Sequence, residues 1–241
     1  MTRNEQPFVA GAFDEKDLLA FDREIRKFLK EPSALQYVVE PKITGADVVL
    51  IYGQGSLRSA STQSGPVTAS VKTILTVPLT FIPLRKETPV PDRLEIMADV
   101  YMETEALLRL NEDRAAKKQP AFSSPRAAIE DSLYQGDPRI SSKRALNYFC
   151  TGTGSRAGIQ AATHYELMLA LQELGLRVNR PHIKAGRGIY EVMDHCRQLR
   201  EARENFPYPV EGARVRVNSL DLQARLSLAS GNPPGTAMFM F

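Results

Sequence analysis

The stretch Glu40-Pro41-Lys42-Ile43-Thr44-Gly45 lies among short segments that have the composition of β-strands. Runs of β-branched and apolar residues on both sides of it predict strands. These runs are residues 37–40, 48–52 and 57–61. Gly53-Gln54-Gly55 predicts the turn of a hairpin between the last two runs. We therefore expect Lys42 to lie in a loop between strands.

Helices are predicted where a capping residue precedes apolar residues at helical spacing. The caps are Asp14, Ser124 and Thr163, the last in a capping box with Glu166. Pro125 after Ser124 suits the first helical position, which places Arg126 in the first turn. A further helix is predicted from about residue 189 to 203.

Two strands are predicted to carry charged residues on one face. Alternation over residues 94–101 places Asp99 on the face away from the main core. Over residues 213–217 the apolar residues share one face, and Arg214 and Arg216 share the other. Helices interspersed with hairpins favour an α+β fold with antiparallel sheets over a parallel array.

Composition sets broad limits on function. The chain has 241 residues, 43% of them hydrophobic, which suffices for the core of one large domain. With 31 basic and 28 acidic residues, the charge permits a nucleic-acid partner without arguing for one. The polar N-terminus and the lack of a long apolar run predict a cytoplasmic protein with no membrane contact. Cys150 and Cys196 show no disulfide framework, which fits that compartment.

Several tempting motifs have the wrong spacing. The glycines at positions 152, 154 and 158 follow a predicted strand, but the third is one residue late and the next helix starts only near Thr163. They therefore do not predict a dinucleotide site. The three histidines lack a paired ligand spacing, so we expect no metal site built from them. No serine lies in a nucleophile elbow.

Further segments occur in a recognisable order along the chain. They are residues 122–126, 137–140, 163–166, 206–208 and 215–218. Together with Glu40 and Lys42, they resemble the adenylation domain of bacterial NAD-dependent DNA ligases, from about Phe13 to the C-terminus. The resemblance implies a nucleotidyltransferase fold of antiparallel sheets flanked by helices over residues 13–241, after a tail of residues 1–12.

The resemblance also implies a chemistry. In that family a lysine takes AMP from NAD and passes it to a DNA 5′-phosphate in DNA repair and replication, with Mg²⁺ required if the site is active. Lys42 matches the acceptor lysine, and Glu40 matches the acidic residue that reads adenine. Arg126 and Arg203 match arginines near the nucleotide or DNA phosphates. Asp99 and Arg216 occupy further motif positions.

Many family positions are nevertheless altered. Thr44 replaces the aspartate of the lysine motif, and Thr151 replaces the tyrosine that stacks on the base. Arg214 replaces the small apolar residue on the other side of the base. Gln63, Tyr134 and Met240 replace cations, Met97-Ala98-Asp99 replaces an Arg-Gly-Glu motif, Glu211 replaces an aspartate, and Arg216 replaces a lysine. We therefore expect a degenerate site.

Other parts of the family's ligases have no counterpart in this sequence. Only a dozen residues precede Phe13, so the module that binds nicotinamide mononucleotide is expected to be missing. The oligonucleotide-binding fold, zinc finger, helix-hairpin-helix and BRCT domains are expected to be missing too. The chain by itself is then not expected to ligate DNA.

Three functions remain open. The first is a degenerate module that binds DNA, a nucleotide such as NAD or AMP, or a protein, with Arg126, Arg203, Arg214 and Arg216 as candidates for a phosphate-binding face. The second is an active enzyme that uses Lys42 as nucleophile, Asp99 as metal or ribose ligand and Arg216 as phosphate clamp. The third is a structural subunit of a larger assembly. The same arginines also suit ordinary surface ion pairs, and Lys42 also suits a solvated loop.

Overall fold

Two five-stranded sheets organise the chain. The computed structural model describes residues 11–12, 14–84, 87–154, 158–230 and 235–241. In this part the strands are β1 (Gly11–Ala12), β2 (Gln36–Ile43), β3 (Ala46–Gly53), β4 (Ser56–Thr62), β5 (Gly65–Pro66), β6 (Arg93–Met102), β7 (Leu146–Thr153), β8 (Lys184–Arg187), β9 (Val210–Val217) and β10 (Thr236–Met240). Sheet A has the order β1-β10-β9-β2-β8, and sheet B has the order β5-β4-β3-β6-β7. Neighbouring strands are antiparallel except β1 and β10.

Helices lie between these strands along the chain. They are α1 (Glu15–Leu29), α2 (Thr68–Val71), α3 (Thr104–Ala116), α4 (Pro125–Leu133), α5 (Pro138–Ser141), α6 (His164–Glu173), α7 (Ile189–Glu201) and α8 (Leu220–Ser230), with 3₁₀ turns at Arg180–His182 and Arg203–Asn205. The predicted α+β fold with antiparallel sheets is confirmed. Within the described residues, no helix has the length and apolar character needed to cross a bilayer.

The helix starts follow the predicted capping chemistry. Asp14 and Thr163 each form a capping box, and the Ser124 hydroxyl accepts a hydrogen bond from the backbone N–H of Ala127. Helix α7 ends at Glu201, and Arg203 lies in the 3₁₀ turn that follows. The prediction of one helix to residue 203 was therefore slightly too long.

Each sheet packs helices on one face. The larger core joins the apolar face of sheet B to α2, α4 and α6, with Leu50, Ile96 and Tyr148 fully buried. A second core joins sheet A to α1, α7 and α8 around Ile25 and Val215. Burying a side chain of this size contributes about 1.5–3 kcal/mol. The opposite face of each sheet is free of these helices, so the two sheets can contact each other there.

The predicted loop position of Lys42 is wrong. Strand β2 continues through Lys42, which pairs with Gly212 of β9, and its register shifts only after that residue. The run of residues that predicted this strand covered only residues 37–40. Strand β2 pairs with β8 only as far as Val39, and beyond it a proline is tolerated on the free edge. Lys42 is therefore held on a strand rather than on a flexible loop.

Candidate functional site

The candidate site lies where the polar face of sheet A meets sheet B. On β2, Val39 packs into the second core, whereas Glu40 points to the other face. On β9, Val215 packs into the same core, while Arg214 and Arg216 point to the face of Glu40. The period of two along a strand thus gathers these charged residues on one surface, as alternation predicted for the two arginines.

Arg214 joins the two sheets. Its Nη1 donates to Oε1 of Glu40 on β2 at 3.2 Å, and its Nη2 donates to Oδ2 of Asp99 on β6 at 3.3 Å. No more than 6% of any of these three side chains is exposed. Burial by itself would lower the pKa of the Arg214 guanidinium, but the carboxylates of Asp99 and Glu40 outweigh it and raise the pKa. Arg214 is therefore a buried cation shared by two carboxylates. We call this contact of Arg214 with Glu40 and Asp99 the Arg214 bridge.

Asp47 adds a third carboxylate that the sequence analysis missed. It lies on β3 directly opposite Asp99 on β6. Although Asp47 is exposed, partial desolvation of its carboxyl, and then the neighbouring Asp99 with which it shares a hydrogen bond, raises the pKa of that carboxyl above its ordinary value, while the charge of Lys42 opposes the rise. The strand prediction for residues 48–52 stopped just short of Asp47, so no pattern singled it out. Asp47 therefore links Lys42 electrostatically to the Arg214 bridge.

Lys42 lies beside this bridge, and its amine forms no ion pair with a carboxylate in the described part of the chain. The side chain is half-buried, and its Nζ lies 3.5 Å from the carbonyl oxygen of Ile43. Within the described part of the chain, no carboxylate oxygen lies within 4 Å of it. A β-carbon on its strand partner Gly212 would lie 2.2 Å from the carbonyl oxygen of Phe239. Only glycine lets β9 approach β10 this closely.

Arg216 is held by neutral groups. Its Nη1 donates to the carbonyl oxygen of Thr151 at 2.9 Å and lies 3.0 Å from Nε2 of His164, and its Nε donates to Oγ1 of Thr236 at 3.3 Å. Burial first, and then Arg214, lowers the pKa of Arg216 to about 10, although Glu40 and Asp99 oppose the shift. Burial together with Arg216 lowers the pKa of His164 well below its ordinary value. Arg216 is therefore a cation at neutral pH that binds a neutral imidazole.

Comparison with known proteins identifies the family. The model of the NAD-dependent DNA ligase adenylation domain matches residues 8–239.

The chain belongs to this family.

The ligase relatives are similar along nearly the whole chain. The DNA ligase of Syntrophus aciditrophicus (strain SB) is 37% identical over 230 residues, which cover 93% of this chain and 34% of that protein. The DNA ligase of Carboxydothermus hydrogenoformans (strain ATCC BAA-161 / DSM 6008 / Z-2901) is 36% identical over 236 residues, which cover 96% and 34%. The chain thus spans about a third of the length of the curated relatives it matches.

Solved structures show a more distant likeness. An archaeal ATP-dependent RNA ligase (form 2) has a TM-score of 0.44 and 15% sequence identity, and the match covers 90% of this chain and 45% of that one. A putative ATP-dependent DNA ligase from Aquifex aeolicus has a TM-score of 0.42 and 16% identity, with 90% and 46% covered.

The structure brings together some of the predicted ligase site residues and separates others. Glu40, Asp99 and Arg214 touch, and Arg216 lies on the same face of sheet A. Arg126 lies on α4, whose apolar residues pack on the opposite face of sheet B, and it pairs with Glu130. Arg203 lies in an exposed 3₁₀ turn and pairs with Glu204. Arg126 and Arg203 make no contact with the Arg214 bridge among the described residues.

His164 is a further residue that sequence reasoning did not assign to the site. It was weighed only as a metal ligand, yet it is buried against Arg216. The available signal was its position directly after the Thr163 cap, which fixes it at the first residue of α6.

The Arg214 bridge makes a prediction about stability. Removing one partner leaves buried charges uncompensated, so Arg214→Met should lower the free energy of unfolding at pH 7 by about 3–5 kcal/mol, measured by urea denaturation. Adding Glu40→Gln and Asp99→Asn should restore about half of the loss or more, because no buried charge then remains unpaired. The exposed Arg139→Met should leave the free energy of unfolding nearly unchanged. A loss below about 1 kcal/mol for Arg214→Met would contradict a buried bridge.

Asp47 makes a prediction about pH. A carboxyl whose pKa is raised on folding binds its proton more tightly in the folded state, so its stabilisation is present at low pH and is lost as pH rises through the folded pKa. Asp47→Asn should therefore be more stable than the unmodified protein at pH 7, and the difference should shrink as pH falls toward 4. Urea denaturation at a series of pH values measures this, with the exposed Asp92→Asn as the matched control. A destabilised Asp47→Asn protein at pH 7 would show that Asp47 is needed in its charged form.

Proposed function

We propose that this ligase adenylation domain binds DNA and does not transfer AMP. The observation that carries the proposal is the Arg214 bridge. The family resemblance gives Glu40 the task of reading adenine, yet Oε1 of Glu40 accepts from Arg214 and the side chain is only 6% exposed. An adenine ring would have to displace the guanidinium from both Glu40 and Asp99.

The energy of that displacement argues against tight nucleotide binding. Leaving a buried charge without its partner costs about 3–5 kcal/mol, which corresponds to a loss of roughly two to four orders of magnitude in affinity. Thr151 also offers no aromatic ring for stacking, and its carbonyl oxygen is bonded to Arg216. The residues present therefore do not fit an adenine nucleotide in the family's manner, and we derive no reaction step through it.

Binding to DNA is supported by the relatives and by the cations of the site. The curated relatives are named DNA ligases. Arg216 and Lys42 lie on one face of sheet A and have no carboxylate within 4 Å among the residues described here. Arginine and lysine bind the DNA backbone by neutralising phosphates, which does not require a base-reading pocket.

A second function is AMP transfer from NAD through Lys42, with Mg²⁺. One observation favours it, since the Lys42 amine is half-buried and forms no ion pair within the described part of the chain. A lysine nucleophile also needs nearby cations or a desolvated pocket that favour its neutral form. In this site the charge of Arg214 is already shared by two carboxylates.

Covalent chemistry separates the two functions. After incubation with NAD or ATP and Mg²⁺ or Mn²⁺, we expect the intact mass of the protein to stay unchanged, because the adenine position is filled by Arg214. The full-length Syntrophus aciditrophicus DNA ligase, treated identically, serves as the positive control. An AMP-sized adduct that disappears in Lys42→Ala would overturn the proposal and establish the enzyme.

Salt-dependent DNA binding tests the other half of the proposal. A fluorescent nicked duplex with a 5′-phosphate should bind, with log Kd depending linearly on log salt concentration. Arg216→Gln should weaken binding and reduce the salt slope by about 1, because one phosphate contact is lost. Arg139→Gln, which removes an exposed cation paired with Asp137, should leave both unchanged. Absence of binding at low salt, or equal effects of the two variants, would direct the search to protein partners.

A further inference from the structure

A separate cavity lies on the side of sheet A away from Lys42. Its volume is about 170 Å³, and it is lined by residues of β8 and α7 and by residues in or next to the two 3₁₀ turns, and is partly open to solvent. Val39 contributes to its wall, and this residue packs into the second core while the adjacent Glu40 faces the Arg214 bridge. The cavity and the Arg214 bridge are thus on opposite faces of β2.

The wall of the cavity is apolar on one part and polar on another. The apolar residues are Val39, Pro181, Leu199, Ala202 and Phe206, and the polar residues are His182, Lys184, His195 and Gln198. Lys184 is the cross-strand neighbour of Val39, and its Nζ donates to Oε1 of Gln198 on α7 at 2.9 Å. An ammonium has three donors, so two remain for another acceptor.

The charge of the lining is positive. None of the residues that line the cavity is acidic. The two acids nearest to His195 along α7 are engaged elsewhere, since Oε2 of Glu191 accepts from the backbone N–H of Arg187 at 2.6 Å and Asp194 pairs with Arg197. The ammonium of Lys184 therefore has no acidic partner in the cavity wall.

Two imidazoles complete the polar part of the wall. Burial, and then the charge of Lys184, lowers the pKa of both His182 and His195, so both rings are neutral near pH 7. A neutral imidazole has one N–H donor and one acceptor nitrogen. The ring of His182 packs against Phe206 with the centroids 4.6 Å apart, which places an aromatic wall beside the polar groups.

We propose that this cavity is a binding site for a small organic monocarboxylate with an aromatic or branched aliphatic body. An engineered cavity of about 150 Å³ in another protein holds one benzene ring, so the volume is sufficient for such a body. The carboxylate would bind the Lys184 ammonium and an imidazole N–H, and the apolar body would contact Leu199, Ala202 and Phe206. The site is independent of the DNA-binding proposal, because no residue is shared.

Benzoate is the probe for this site, with the full chain as the protein. Titration followed by ligand-observed NMR should show saturable binding with a Kd of about 1 mM, as expected for a ligand of this size. Lys184→Met should weaken benzoate about tenfold but leave the affinity for neutral benzyl alcohol unchanged. Lys143→Met removes an exposed lysine outside the cavity and should leave both affinities unchanged.

Blocking variants test the location. Ala202→Phe fills the cavity from the residue that follows α7, and Gln198→Trp covers it from an exposed position on α7, so each should abolish benzoate binding in protein whose circular dichroism is unchanged. Two variants are used so that a folding defect in one leaves the test intact. The proposal is overturned by the absence of saturable binding up to about 20 mM, by benzoate binding that survives both blocking variants, or by a Lys184→Met effect equal for benzoate and benzyl alcohol.

Discussion

The contact of Arg214 with Glu40 and Asp99 fixes which charged groups meet where the two sheets face each other. Each sheet carries its own helices and apolar core, and a smaller apolar cluster that contains Ile43 of β2 and Tyr101 of β6 joins the sheets. Apolar packing of this kind does not dictate which charged groups meet between them. A buried guanidinium does dictate which charged groups meet, since it is tolerated only when carboxylates satisfy its charge and its donors. Glu40 comes from sheet A and Asp99 from sheet B, and the arginine requires both.

We propose that the same contact also separates this domain from AMP transfer, the chemistry that the family resemblance implies. Nucleotidyl transfer needs a lysine whose amine is neutral and nucleophilic, cations around the phosphate and a pocket for the base. In this chain the carboxylates of Glu40 and Asp99 bind Arg214. Arg216, which has no carboxylate within 4 Å in the described part of the chain, is bonded to a backbone carbonyl and an imidazole. Under the proposed function, the site keeps positive charge for binding and does not use it in catalysis.

Local patterns in the sequence predicted the parts of the structure that have local causes. The caps at Asp14, Ser124 and Thr163 and the alternation that places Arg214 with Arg216 follow from contacts within a few residues. The ion pair between Arg214 and Asp99 joins positions 115 residues apart, and no periodicity reports such a pair. The strand prediction stopped at Glu40, whereas β2 continues through Pro41 because β8 ends beside Val39, and that is a property of the sheet.

The Arg214 bridge also has a thermodynamic consequence. A protein that binds a ligand only in its folded state gains stability in proportion to the logarithm of the ligand concentration, so its stability varies with cellular supply. Here the group between Glu40 and Asp99 is a side chain of the same polypeptide, and its effective concentration is fixed by the covalent chain. Under the proposed function, in which no nucleotide binds at this site, the association of the two sheets does not depend on the concentration of a metabolite.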